Sequence, residues 1–245
     1  MQAPTRCSRL CIATALAAAA CGQAWAQKAG DIVLGAGVLT YAPNDKSTPL
    51  RFTQPVQREI PGSGSDVHSA TTLGLNAHYF LTDHWAVEGV FGYPPRLKLS
   101  GEGSLQGIGQ LGSARPYGPS LLGKYFFGQP NDKWRVGVGL GITYARFGSV
   151  HLTDGLQNAL GAAIGVPPGA SSTSAKIDSR FGPVFAAGFT YAFSETLGLT
   201  ASLSYVRMKT QAVLTTTAGG QKVAESRTSL RLDPLVPFVY VTKKF

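Results

Sequence analysis

Several things are scarce in this 245-residue chain. Charged residues make up 14% of it, where an average soluble domain carries about 25%. Its three cysteines, Cys7, Cys11 and Cys21, all lie close to the N-terminus. Past them no thiol is left for a disulfide framework or a cysteine-based metal site. The histidines His68, His78, His84 and His151 are scattered, with no H-x-x-x-H pair, so no metal is expected. No G-x-S-x-G elbow occurs, and no Ser-His spacing stands out among Ser120, Ser202 and Ser204, so no enzyme activity and no cofactor are expected. Outside the N-terminus no apolar run approaches the ~20 residues of a membrane-spanning helix.

The N-terminus reads as a leader. Arg6 and Arg9 precede an alanine-rich apolar run, Leu10 to Ala20, and "AWAQ" places Ala24 and Ala26 at the small positions of a cleavage site. Residues 1–26 are therefore read as a signal peptide and 27–245 as the mature domain. A lipoprotein leader ending at Cys21 fits less well, because the third residue before the cysteine is normally Leu-like. Removing Arg6 and Arg9 lowers the formal net charge from +9 to +7.

What is abundant is glycine, aromatics and strict alternation. Residues 134–144, "WRVGVGLGITY", alternate large apolar side chains with Gly137, Gly139 and Gly141. A dinucleotide fingerprint needs G-x-G-x-x-G leading into a helix, and here Ile142 continues a strand. Similar period-two segments cover 31–41, 71–81, 85–93, 119–127, 183–193, 197–205 and 235–245. Each has about the length that a tilted strand needs to cross a bilayer. Aromatics gather at the segment ends, as interfacial girdles require. Short connections at 80–88, 126–137 and 192–200 alternate with long ones at 42–70, 94–116, 148–178 and 210–229. The pattern predicts an all-β fold, an eight-stranded antiparallel transmembrane barrel with short periplasmic turns and long extracellular loops. Closure also removes the sheet edges that lipid would leave unpaired. In the third long loop, 155–165 has weak helical character, and a short helix at the mouth and disorder are both open.

Parity assigns the lumen. Val33, Leu39, Phe80, Val90, Phe126 and Phe238 point inward, as does His78, so the interior is mixed to greasy rather than the wet polar channel of a porin. Glu88, Lys124 and Arg135 also face inward near one rim, and Glu88 is expected to bridge to Lys124 or to Arg135, since a lone buried charge is costly. The glycines of 134–144 leave one strand face nearly bare, which makes room for side chains from opposite strands. The cations are spread over the long loops. Nucleic acid is excluded for an exported chain with no basic helix, and the lipid and lipopolysaccharide of an outer membrane suit the charge better.

In order, "AGDIVLGAGVLTYAP" (29–43), "YFLTDHWAVE" (79–88), "RVGVGLGITYARF" (135–147) and "RLDPLVPFVYVTKKF" (231–245) resemble the outer membrane protein W (OmpW) family over nearly all of the mature chain. The resemblance implies an integral protein of a Gram-negative outer membrane with a narrow hydrophobic lumen, associated with uptake of small hydrophobic ligands. It implies assembly by the outer-membrane machinery through the C-terminal Phe245. It also carries over Phe181 as an aromatic near the mouth, although parity puts Phe181 on the lipid face unless Pro183 introduces a bulge. Two departures stand out. Arg207 and Lys209 lie at the end of the seventh strand, where the family often has acids, and Lys243 replaces an apolar residue third from the end. The alternative to a passage is a structural or adhesive barrel that binds lipopolysaccharide or a partner through its loops.

Overall fold

The computed structural model describes residues 27–245, so the leader expected at 1–26 lies outside the described residues. β1 (Ile32–Tyr41) opens the barrel wall, and four short strands follow above it: β2 (Lys46–Ser47), β3 (Arg51–Gln54), β4 (Arg58–Glu59) and β5 (Ser63–Val67). β6 (Ala70–Phe80) and β7 (Trp85–Gly92) return to the wall, with β8 (Leu97–Gly103) and β9 (Gln110–Tyr117) over them. β10 (Ser120–Phe126) and β11 (Trp134–Leu152) lead to helix α1 (Asp154–Ala162) and β12 (Ser171–Ile177). β13 (Arg180–Ala192) and β14 (Leu197–Val206) form the third wall hairpin, β15 (Lys209–Ala218) and β16 (Gln221–Arg231) an outer hairpin, and β17 (Leu235–Lys244) the last strand.

Eight of these strands close on themselves in the order β10-β7-β6-β1-β17-β14-β13-β11, with β11 pairing back to β10. Every pairing in the ring is antiparallel. Alternation dictates which side of the wall each residue meets. Along β11, Val136, Val138, Leu140 and Ile142 are exposed on the outside while Arg135 and Gly137 are buried within. Outward apolar residues cost nothing where the surroundings are lipid. Aromatics ring both ends of this band, Trp85, Tyr125 and Trp134 at one and Tyr93, Tyr117, Tyr144 and Tyr205 at the other.

The short turns are built by their polar residues. The Thr82 hydroxyl accepts from the amides of His84 (3.3 Å) and Trp85 (2.9 Å). Ser194 does the same for Thr196 and Leu197, and the Asp132 carboxylate accepts from the Gln129 amide at 2.7 Å. Such side-chain bonds satisfy backbone donors that the ladder leaves unpaired.

The long connections are long, as expected, but they are folded. β12, β15, β16, β3 and β4 form one sheet, with β2 on β16, and β9, β8 and β5 prolong the barrel sheet from the upper half of β11. Residues from both sheets share one apolar cluster, including Leu50, Phe52, Leu97, Leu111, Leu214 and Leu230. For the third loop, helix and not disorder is found. Thr153 caps α1, its hydroxyl accepting from the Leu156 amide at 3.4 Å, and Leu156 and Leu160, one turn apart, are buried in the same cluster.

Candidate functional site in the barrel lumen

The lumen is layered. At the periplasmic end Phe80 and Phe126 meet with ring centroids 5.2 Å apart, and Val33, Ala86 and Ala192 complete the cluster. Phe80 has no accessible surface. The glycine stripe makes this floor fit: a Cβ at Gly137 would lie 3.0 Å from the Phe126 ring, and one at Gly139 would lie 2.7 Å from the Lys124 stem. The room cleared by those glycines is thus filled by the two neighbours directly across the ladder.

Above the floor sits a charged layer. The Glu88 carboxylate takes Lys124 Nζ at 2.9 Å on one oxygen. Its other oxygen meets His78 Nε2 at 3.1 Å and accepts from Asn76 Nδ2 at 3.0 Å. All four residues are buried. A carboxylate so enclosed is tolerable only because each of its oxygens has a close partner.

Arg135 corrects the expectation of a three-membered charge cluster. It lies below the floor, its guanidinium 5.3 Å from the Phe126 ring centroid. It donates to Asp83 O (2.7 Å), to Gln27 Oε1 (3.1 Å) and to Phe126 O (3.3 Å). Parity placed it inward correctly, but the phenylalanine layer separates it from Glu88. Of the two bridges considered, the one to Lys124 is formed.

The upper half of the lumen is apolar. Leu39, Val90, Leu122, Val184, Val206 and Met208 line an apolar space, together with Ser120, Thr143 and Ser204. Phe238 packs beside Leu39 over Gly74, where a Cβ would come within 2.9 Å of its ring. A second apolar space lies higher, between the two extracellular sheets, walled by Leu50, Leu99, Leu111, Leu214 and Leu230.

The wall beside the lower space has a seam. The β6–β7 ladder runs to Gly74↔Gly92 and ends on the Tyr93 amide donating to Leu73 O at 2.8 Å. Pro94 and Pro95 follow, neither with an N–H to continue it. Gly92 and Leu97, on either side of the prolines, both line the space.

Leu39, Phe80, Val90, Phe126 and Phe238 thus face inward as predicted, but Phe80 and Phe126 belong to the floor. Phe181 does not face the lumen. It is 70% exposed on the outside, its ring 4.8 Å from Tyr144. Pro183 pairs in unbroken register with Ile142, so no bulge turns the chain. Leu122, Val184, Val206 and Met208 were missed. Leu122 shares the parity of Lys124 and Phe126, and Val206 and Met208 continue the alternation beyond the 197–205 segment. Among the described residues no group of His, Cys, Asp or Glu could hold a metal ion.

This layered barrel can be set beside known proteins. The model of the OmpW family matches residues 28–245. The chain belongs to the OmpW family. Outer membrane protein W of Vibrio cholerae is 29% identical over 204 residues, 83% of this chain and 85% of that one. The crystal structure of the outer membrane protein OprG from Pseudomonas aeruginosa superposes with a TM-score of 0.77 at 26% identity, covering 91% of this chain and 99% of the other. A dibenzothiophene metabolism operon protein, PahQ of Pseudomonas aeruginosa, is 32% identical over 89 residues, 36% of this chain and 41% of its own. The chain is accordingly an integral outer-membrane barrel. In this OmpW-family member the departures at Arg207 and Lys209 leave the lumen untouched, because both side chains are exposed on the outside. Lys243 also faces outward, its Nζ 5.2 Å from the Phe245 ring centroid.

Proposed function

We propose that this barrel admits small apolar molecules from outside the cell and releases them sideways into the membrane. The observation that carries the reading is the pairing of an apolar upper lumen with a packed floor. A solute that enters the extracellular space meets leucine and valine walls down to Val90 and Leu39. Below them it meets Tyr240, then the Glu88–Lys124 layer and the Phe80–Phe126 contact. A lateral way out is offered at Pro94–Pro95, where no N–H continues the β6–β7 ladder. The PahQ relative, named for an operon of dibenzothiophene metabolism, fits an apolar aromatic compound as cargo.

The test is uptake of an aromatic hydrocarbon such as naphthalene by cells that produce each variant, with folding checked by the heat-dependent gel shift of a barrel. Val90→Asp puts a charge into the apolar space and should cut uptake by about tenfold or more. Leu122→Trp should do so by filling it. Phe181→Ala, on the outer wall, should change nothing. Folded Val90→Asp and Leu122→Trp barrels that import normally would refute the passage.

A further inference from the structure

The two rims of the barrel differ in charge. At the periplasmic rim lysines stand beside acids, Lys28 near Asp31 and Lys133 next to Asp132. At the outer rim arginines follow the aromatic girdle. Arg96 comes three residues beyond Tyr93, Arg146 two beyond Tyr144 and Arg207 two beyond Tyr205, all exposed. At about 3.3 Å per residue Arg146 and Arg207 stand roughly 7 Å further along the chain than Tyr144 and Tyr205, and Arg96 follows Tyr93 across Pro94 and Pro95. Arg146 also lies directly across the ladder from the girdle residue Tyr117.

A second row continues the belt. Lys46, Arg231 and Lys209 are directly opposite one another on β2, β16 and β15, and all three are exposed. Directly opposed side chains of an antiparallel pair lie about 5 Å apart, and like charges there repel. Only Asp233 answers this row, 3.7 Å from Arg231 Nε. Among the described residues the side chains of Lys46, Arg96, Arg146, Arg207 and Lys209 have no hydrogen bond or ion pair. Asp233 answers one charge of the row, and anions from outside would relieve the rest of the repulsion.

We infer that this belt binds the phosphate groups of an anionic lipid of the outer leaflet, the phosphorylated glycolipid lipopolysaccharide. Three observations fit that ligand. The cations sit at headgroup height, directly beyond the aromatic ring. Three of the six are arginines with free guanidinium groups, which grip phosphate with two parallel hydrogen bonds. The belt is spread round the wall, on chain leading from β1, β7, β11 and β14 and into β17, as a surface seen by many lipids requires. The lumen plays no part, so the inference is independent of the passage.

The experiment uses the full folded barrel in detergent and measures binding of rough lipopolysaccharide, before and after chemical removal of its phosphates. The variant R96Q/R146Q/R207Q/K46Q/K209Q/R231Q removes the belt. The variant K28Q/K133Q/K243Q removes cations from the periplasmic rim. The belt variant should bind at least about tenfold more weakly than the wild type, and the periplasmic variant should bind normally. Dephosphorylated lipid should bind the wild type as poorly as intact lipid binds the belt variant. Inorganic phosphate at equal phosphate concentration should not compete. Normal binding by a folded belt variant, an equal loss in the periplasmic variant, equal binding of dephosphorylated lipid, or full competition by inorganic phosphate would each overturn the assignment.

Discussion

The lower and upper halves of the lumen are made by the same eight strands and behave differently. Below, charge and aromatic rings interlock: Glu88 with Lys124, His78 and Asn76, and Phe126 with Phe80. Above, aliphatic side chains line open space that they do not fill. The difference comes from the size of the inward side chains. Beside Phe126 and Lys124, on the neighbouring strand, Gly137 and Gly139 leave room for those large side chains inside the wall. Higher up, Leu122 and Val184 are too short to reach across. One half is therefore a stopper and the other a receptacle.

The comparison can be broken most forcefully in the stopper. Lys124→Met leaves the Glu88 carboxylate buried without its cation, and stability should fall by about 3–5 kcal/mol. The double variant Glu88→Gln/Lys124→Met should recover most of that loss, and urea unfolding in detergent measures both. A smaller loss, about 1–3 kcal/mol, is expected for Gly137→Leu, which displaces the Phe126 ring. The same assay reads it, and an unchanged midpoint would mean that the stripe does not seat the floor.

The smallest effect belongs to an ion pair outside the membrane. Lys222 Nζ (2.6 Å) and Arg227 Nη2 (2.8 Å) hold the Glu225 carboxylate. Hydrogen bonds from both cations lower its pKa to about 2. A depressed carboxylate pKa stabilises the folded state above the ordinary value of about 4.3, and that contribution is lost as pH falls from there through about 2. Because the pair is solvent-screened, Glu225→Gln should leave the neutral-pH midpoint almost unmoved. An NMR titration that finds an ordinary Glu225 pKa would show that the contacts do not persist in solution.

Much of this was legible in the sequence because a barrel wall is written in period two. The wall strands and the inward placement of Glu88, Lys124, Leu39 and Phe238 follow from parity alone. Distances across the lumen do not, because parity gives a direction and not a height. Arg135 and Glu88 both point inward, but the Phe80–Phe126 layer lies between them. Phe181 was misplaced by weighting a family likeness over its parity. The extracellular sheets were missed for another reason. Thr210, Ala212, Leu214 and Thr216 alternate with exposed or half-buried residues, and the left-handed Gly219 and Gly220 form the β15–β16 turn. A Gly-Gly pair between alternating runs is a hairpin signal, but threonine and serine on the buried face made it read as loop.

The contrast between stopper and receptacle is tested most directly by photolabelling the folded barrel in lipid with an aromatic hydrocarbon that carries a diazirine, and mapping the inward-facing residues modified. The account predicts labels at Leu39, Val90, Leu122 and Val184 and beside Pro94 and Pro95, with none on Val33, Phe80 or Phe126. Labels on those three floor residues would contradict it, because the solute would then be passing straight through the barrel.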